Sequence, residues 1–213
     1  MKDNSFINPN ITVIKRSIDL VFSLVCLTIS LPLLMLIALL IKLSSKGGVF
    51  YCQLRVGKMK KGKVRHFKMI KFRTMVEDAE ASSGAVWATS NDNRLTKIGK
   101  LLRKTRLDEL PQFINVIKGD MSLIGPRPER PEIVVNLEKE IPFYSERTYD
   151  MTPGITGLAQ VYQGYDTCID DVKNKIAYDF AYSLSLTKFH HWILMDLKII
   201  FKTMAIMVLG RGQ

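Results

Sequence analysis

The segment RLDELPQFINVIKGDMSLIGPRPER, Arg106 to Arg130, sets two adjacent carboxylates, Asp108 and Glu109, among cations. Arg103, Lys104 and Arg106 stand at or just before its start, and Arg127 and Arg130 close it. One reading is structural: Asp and Glu suit the first turn of a helix, where a carboxylate caps free N–H groups and complements the dipole. The other is chemical. A carboxylate that attacks phosphorus meets like charge, and two unit charges 4 Å apart at an effective dielectric near 20 repel by about 4 kcal/mol. That is roughly a thousandfold in rate. Mg²⁺ on Glu109 and guanidinium groups on the phosphate oxygens would offset the repulsion. A nucleophilic carboxylate then divides one difficult transfer into two steps through an acyl phosphate. Adjacent helical residues point about 100° apart, so Asp108 and Glu109 can serve different ligands.

Other residues join this chemistry with a plainer alternative beside each. Arg127 lies between Pro126 and Pro128, a stiff loop that suits a preorganised phosphate contact or simply a rigid turn. Lys71 shares one face of a strand with Arg65 and Arg73 by alternation, either as a solvated edge or as a substrate contact. The glycines of TPGITGLAQVYQGYD, Thr152 to Asp166, allow close ligand approach or serve turns, in a loop that opens into a strand. Cys26, Cys52 and Cys168 form no CxxC pair, and His66, His190 and His191 lack zinc spacing. A metal held by Cys or His is not expected. Phosphate-loop, dinucleotide and nucleophile-elbow signatures are missing, as is an Asp-x-Asp pair.

The elements that must position these residues divide at the membrane. A chain of 213 residues is long enough for one domain with a real core, and its net charge of +11 points to polyanionic partners. Leu20 to Ile41 carries no charge over 22 residues, roughly 33 Å of helix against a hydrocarbon core of roughly 30 Å. Pro32 interrupts it, and cations flank both ends: Lys15 and Arg16 before, Lys42 and Lys46 after. A kinked span and a re-entrant hairpin with both ends cytoplasmic therefore stand side by side, with the hydroxyl of Ser30 or Thr28 free to satisfy carbonyls at the bend. Beyond it, Val49–Gly57 and Val64–Met75 predict a β-hairpin around KMKKGK. Residues 76–95 predict a short helix and a loop, and helical spacing continues through Leu101, Leu102, Phe113, Ile114 and Ile117. The tail KFHHWILMDLKIIFKTMAIMVL predicts an amphipathic helix, interfacial or packed on the core. Its lysines would then lie at headgroups and Trp192 at the membrane boundary. Asp196 falls off the basic stripe and is expected to pair with a buried cation; the first ten or so residues are expected to fray.

With these motifs the chain resembles the bacterial sugar transferase family, the monotopic polyprenol-phosphate phosphoglycosyl transferases. The likeness rests on KRSIDL, RVGK, FKMIKFRTM, VWATSNDNRLTKIGKLLRKTRLDELPQFINVIKGDMSLIGPRP, PGITGLAQV and MDLKIIFKT. It implies the compact catalytic form. The fold class is α+β, mainly helical with a small β-hairpin or sheet, and monotopic in the membrane. Residues 1–46 would form the tail and re-entrant membrane helix, and residues 47–213 a catalytic domain with interfacial amphipathic helices. By resemblance Asp108 attacks the β-phosphate of a UDP-sugar and releases UMP, while Glu109 helps to hold Mg²⁺. The phosphosugar then passes to undecaprenyl phosphate, the first membrane step of surface polysaccharide assembly. Lys71, Arg103, Arg127 and Asp179 match substrate-binding positions. Two departures stand out: the Ser-Pro pair is split as Ser30-Leu31-Pro32, and Thr152 precedes PGITG where a basic residue is usual. Expected partners are UDP-sugar, undecaprenyl phosphate and anionic membrane lipids at the cytoplasmic face of the inner membrane, with room for self-association and no nucleic acid. The rival readings are an inactive family member serving as an assembly platform and a basic membrane-tethered nucleic-acid-binding protein.

Overall fold

The computed structural model describes residues 5–79, 92–163 and 169–209. Its elements run α1 (Pro9–Ser44), β1 (Phe50–Lys60), β2 (Lys63–Phe72), α2 (Lys97–Lys104), α3 (Gln112–Lys118), β3 (Ser122–Ile124), α4 (Pro131–Glu140), β4 (Gly154–Thr156), α5 (Leu158–Gln163), α6 (Ile169–Ser185) and α7 (Phe189–Val208). Short 3₁₀ turns occupy Leu107–Glu109 and Tyr144–Thr148. The mainly helical α+β architecture agrees with the expectation. The short helix expected after residue 76 lies largely outside the described residues.

Asn8 caps α1, accepting from Asn10 N–H at 3.0 Å, with Pro9 in the first turn. The helix passes through Pro32 without a break, so the two arms expected of a hairpin are parts of one helix. Pro32 leaves the Thr28 carbonyl without its usual donor. The hydroxyls of Thr28 and Ser30 do not reach it, bonding instead to Leu24 O at 2.9 Å and Leu27 O at 3.3 Å. This is back-bonding of the kind that bends helices. Both ends of α1 are anchored. Ile7 and Ile11 pack with Leu186, Trp192 and Ile199, and Ile37 and Ile41 pack with Phe72 and Leu102. Each such burial is worth about 1.5–3 kcal/mol. Ile7 is therefore core, not part of a frayed end. Between the anchors Val21, Leu24, Val25, Ile29, Leu31, Met35 and Leu36 are exposed. The mean hydropathy of the most apolar window, 2.8 with only 11% of it buried, makes α1 long and apolar enough to cross a membrane.

β1 and β2 pair antiparallel from Phe50↔Phe72 to Lys60↔Lys63, with a bulge between Val56 and Met59. Lys61 and Gly62 both take left-handed φ, 52° and 71°, the two-residue turn that matches strand twist. The face carrying Lys71 is not a solvated edge. Phe67 and Met69 on that face pack against Val116 of α3 and Met121. Arg73, past the strand, turns away to close α1, donating to Ser45 O at 2.9 Å, Ser45 Oγ at 3.0 Å and Lys46 O.

β3 and β4 form a two-rung parallel ladder, Ser122↔Gly154 and Ile124↔Thr156. A Cβ on Gly154 would lie 2.1 Å from Gly125 N, so this glycine admits another backbone, not a ligand. Gly154→Ala is expected to destabilise the fold by about 1–3 kcal/mol; an unshifted thermal unfolding midpoint would contradict this packing. The expected strand after the loop is only three residues long. LAQVYQ is the helix α5, with Leu158 and Ala159 buried and Val161 packed on the same core.

α7 also corrects an expectation. Trp192 is 3% exposed inside the core, not at a membrane boundary, and its indole donates to Asp196 Oδ2 at 2.7 Å. Asp196 does pair with a largely buried cation, Lys15, at 3.5 Å. Lys198 and Lys202 lie over the Tyr162 ring. Elsewhere α7 exposes Leu194 and Phe201.

Candidate active site

Asp108 and Glu109 sit in the 3₁₀ turn between α2 and α3, after Arg106 takes a left-handed conformation at φ 57°. Neither caps α3, whose N-cap is Pro111 with no side-chain bond. Both carboxylates line a polar cavity of about 520 Å³, with Arg55, Lys71, Arg103, Arg106, Arg127 and Arg130 around them. That size suits a small-molecule ligand. The local sequence placed cations beside the pair; the hairpin and the proline-flanked loop supply the rest.

Glu109 is the hub. Its Oε1 takes Lys71 Nζ at 2.7 Å and Arg127 Nη2 at 3.4 Å, and its Oε2 lies 3.7 Å from Arg106 Nη1. Although burial works against its charge, Lys71, Arg127 and Arg106 hold its pKa well below the usual carboxylate range. Asp108 is compensated less. Burial foremost pushes its pKa up to about 6, against the pull of Lys71, with Glu109 adding to the rise. The two neighbours therefore differ: Glu109 is a locked anion, and Asp108 is a carboxylate held at a cost beside the cavity.

The supports are non-local. Asn115, fully buried, accepts from Ile70 N–H at 2.9 Å and donates to Lys68 O at 2.8 Å, stitching α3 to the strand that carries Lys71. Arg103 reaches the cavity with its Nε donating to Thr74 Oγ1 at 3.1 Å. Arg55 donates to Pro128 O at 3.0 Å, steadying the proline-flanked loop; burial lowers its pKa to about 10, offset in part by Glu129.

Asp179 is not with the others. It lies outside the cavity, 2% exposed, and accepts from Arg147 Nη1 at 2.6 Å. The other Nη of Arg147 donates to the backbone carbonyl of Arg127 at 2.7 Å. Burial pushes the Asp179 pKa up while Arg147 pulls it down, and Asp179 acts on Arg127 through Arg147. Arg147→Met is expected to strand the Asp179 charge and cost about 3–5 kcal/mol, read as a fall in thermal midpoint with a raised KM. A midpoint at the wild-type value would contradict this support. Arg106, Arg55, Arg147 and Asn115 carried no role in the sequence reading. For Arg55 and Arg106 the available signal was a charge inside a strand and beside the dyad; for Arg147 and Asn115 there was none.

A second, apolar cavity of about 620 Å³ abuts the first. Ile14, Ile18 and Phe22 of α1, Phe113 of α3, and Ile200 and Met204 of α7 line it. Glu109 and Arg106 belong to both cavities. An anionic headgroup at that junction would keep its apolar tail in the groove.

Among the described residues no three His, Cys, Asp or Glu side chains converge as a metal site. Mg²⁺ does not require such a cage, because it binds through one or two carboxylates together with substrate phosphates. The dyad offers hard oxygen donors that fit such an ion, with Glu109 Oε2 3.7 Å from Arg106 Nη1.

The sequence model described as bacterial sugar transferase matches residues 10–210. A UDP-N-acetylgalactosamine-undecaprenyl-phosphate N-acetylgalactosaminephosphotransferase of Aeromonas hydrophila is 44% identical over 205 residues, covering 96% of this chain and 46% of the relative. A UDP-glucose:undecaprenyl-phosphate glucose-1-phosphate transferase of Klebsiella pneumoniae is 40% identical, covering 90% and 39%. The exopolysaccharide production protein PSS of Rhizobium leguminosarum bv. phaseoli is 39% identical, covering 94% and 98%. The chain thus spans less than half the length of the first two relatives and nearly all of the third.

Proposed function

Because the chain belongs to the bacterial sugar transferase family, we propose that it transfers a sugar 1-phosphate from a UDP-sugar to undecaprenyl phosphate. The observation that carries this reading is the junction of the two cavities. A cation-lined chamber holding Asp108 shares Glu109 and Arg106 with an apolar groove between α1, α3 and α7. A water-soluble diphosphate donor fits the chamber, and a prenyl chain fits the groove. The names of the relatives pair the same two substrate classes.

In the first step an Asp108 oxygen attacks the β-phosphorus while the bond from that phosphorus to the bridging oxygen breaks, and UMP leaves with the electron pair. In the second, an oxygen of undecaprenyl phosphate attacks the same phosphorus and frees the Asp108 carboxylate, giving the diphosphate-linked lipid. Lys71, Arg103 and Arg127 face the charge that develops on the phosphate oxygens, where preorganised donors act most strongly. Glu109 holds Lys71 and Arg127 in place and would hold Mg²⁺ with the diphosphate. When bound, that ion supplies positive charge against the like-charge repulsion. Removing it with EDTA is expected to stop turnover, and adding Mg²⁺ back to restore it; full activity in EDTA would remove Mg²⁺ from the account.

The membrane arrangement follows the same logic. Both ends of α1 pack on the domain that bears the dyad, while its middle and the outer side of α7 present apolar residues. This supports a re-entrant α1 that enters and leaves on the cytoplasmic face, with α7 in the interface. The test is to supply the protein in bilayers with undecaprenyl phosphate and a panel headed by UDP-N-acetylgalactosamine and UDP-glucose. UMP and a lipid diphosphate sugar should form together with one donor of the panel. Lipid-independent hydrolysis alone would overturn the reading.

A further inference from the structure

The KRSID turn of α1 grips the two elements that bear the phosphate site, each at a point remote from it. Arg16 donates from Nη1 to Val116 O at 2.5 Å and from Nη2 to Ile117 O at 2.9 Å. These carbonyls close α3, where a cation suits the dipole; the Val116 carbonyl also accepts from Gly119 N–H at 3.0 Å. One turn further, Asp19, 4% exposed, accepts from Leu123 N–H of β3 at 3.1 Å. Lys15 lies 4.0 Å from Asp19 and 3.5 Å from Asp196, which also accepts from Tyr182 and Trp192. The turn is thereby pinned to α6 and α7.

Glu109 directly precedes the Leu110-Pro111 lead-in to α3, and Arg127 follows shortly after β3. The 3.4 Å contact between them spans the two gripped elements. We propose that Arg16 and Asp19 are positioning residues that set the separation of the dyad from the Arg127 loop, so that seating of the membrane helix sets the geometry of the phosphate site. Neither side chain lines the polar cavity; Asp19 borders the apolar groove, and both side chains hold backbone of the gripped elements. A seven-residue helix is only about 10 Å long, so a shift at the carbonyl end of α3 reaches the dyad with little loss. A misplacement of about 1 Å at a reacting centre costs about 10²-fold.

The inference rests on the phosphoryl-transfer reading for its effect on rate, and on a backbone contact that is measurable without turnover. Full-length Asp19→Leu and Asp19→Asn are compared with wild type by hydrogen exchange at the Leu123 amide, by UDP-sugar kinetics in bilayers and by thermal unfolding. In Asp19→Leu, Leu123 exchange should rise about tenfold or more, and kcat should fall about 10²-fold with KM within about threefold. Asp19→Asn keeps an acceptor for Leu123 and should recover both. Arg16→Gln and Arg16→Lys provide a second pair, Lys retaining a charged donor at the α3 carbonyls and recovering part of the rate. Unchanged Leu123 exchange in Asp19→Leu, an Asn variant as impaired as Leu, or wild-type kcat in both Asp19→Leu and Arg16→Gln would overturn the proposal. So would rate losses that track the unfolding midpoint. A wild-type protein inert with every UDP-sugar would count against the reaction instead, leaving the exchange result to judge the bracket.

Discussion

Asp108→Asn is expected to abolish turnover, by at least about 10⁴-fold, while leaving the fold intact. Loss of a covalent nucleophile is felt on that scale because the remaining groups bind and polarise but form no bond. Stability should move the other way. The Asp108 pKa is raised by burial from its ordinary 3.8 to about 6, so the folded state favours the protonated form. At pH 7, above both values, the charged carboxylate therefore disfavours folding, by at most about 3 kcal/mol. A neutral amide removes that cost, and the gain should vanish below about pH 4, where aspartate is protonated folded and unfolded alike. Calorimetry of the two proteins at pH 7 and pH 4 measures it. An Asn variant that retains ordinary activity would remove Asp108 from the reaction, and one clearly less stable at pH 7 would remove the electrostatic account of its environment.

Glu109→Gln should reduce activity about 10²- to 10³-fold, the scale of losing a group that organises transition-state charge, and should also destabilise. Lys71, which loses its 2.7 Å partner, is largely buried, and Arg127 and Arg106 lie on the same carboxylate. Breaking one side of such a buried pair costs about 3–5 kcal/mol. The cost should shrink at high pH as Lys71 discharges, since burial already lowers its pKa. Neighbouring carboxylates thus give opposite stability effects on neutralisation. Equal effects at the two positions would contradict the assignment of one locked anion and one poised nucleophile.

What could be read ahead was local. The basic setting of Asp108 and Glu109, the hairpin around Lys61-Gly62 and the helical periodicities all arise from neighbours within a few residues, where spacing is informative. What escaped was set by partners far along the chain. Asp179 matched a site position, yet its side chain is spent on Arg147. LAQVYQ forms a helix because Leu158 and Val161 meet a core built by α1, α6 and α7. Trp192 resembled an interfacial anchor, but Asp196 one turn on gives its indole an acceptor within the fold. Arg16 and Asp19 could pass for topology charges flanking an apolar run. Their partners lie about a hundred residues away, beyond the reach of any local pattern.

The most direct test of the central claim is a mixing experiment without lipid. Purified protein, UDP-sugar and Mg²⁺ are combined in detergent, UMP is followed in time, and the protein is then digested and analysed by mass spectrometry. A burst of one UMP per active protein, with a phosphosugar adduct on the peptide containing Asp108, is the expected result. Neither burst nor adduct, from a preparation that turns over once undecaprenyl phosphate is added, would contradict it.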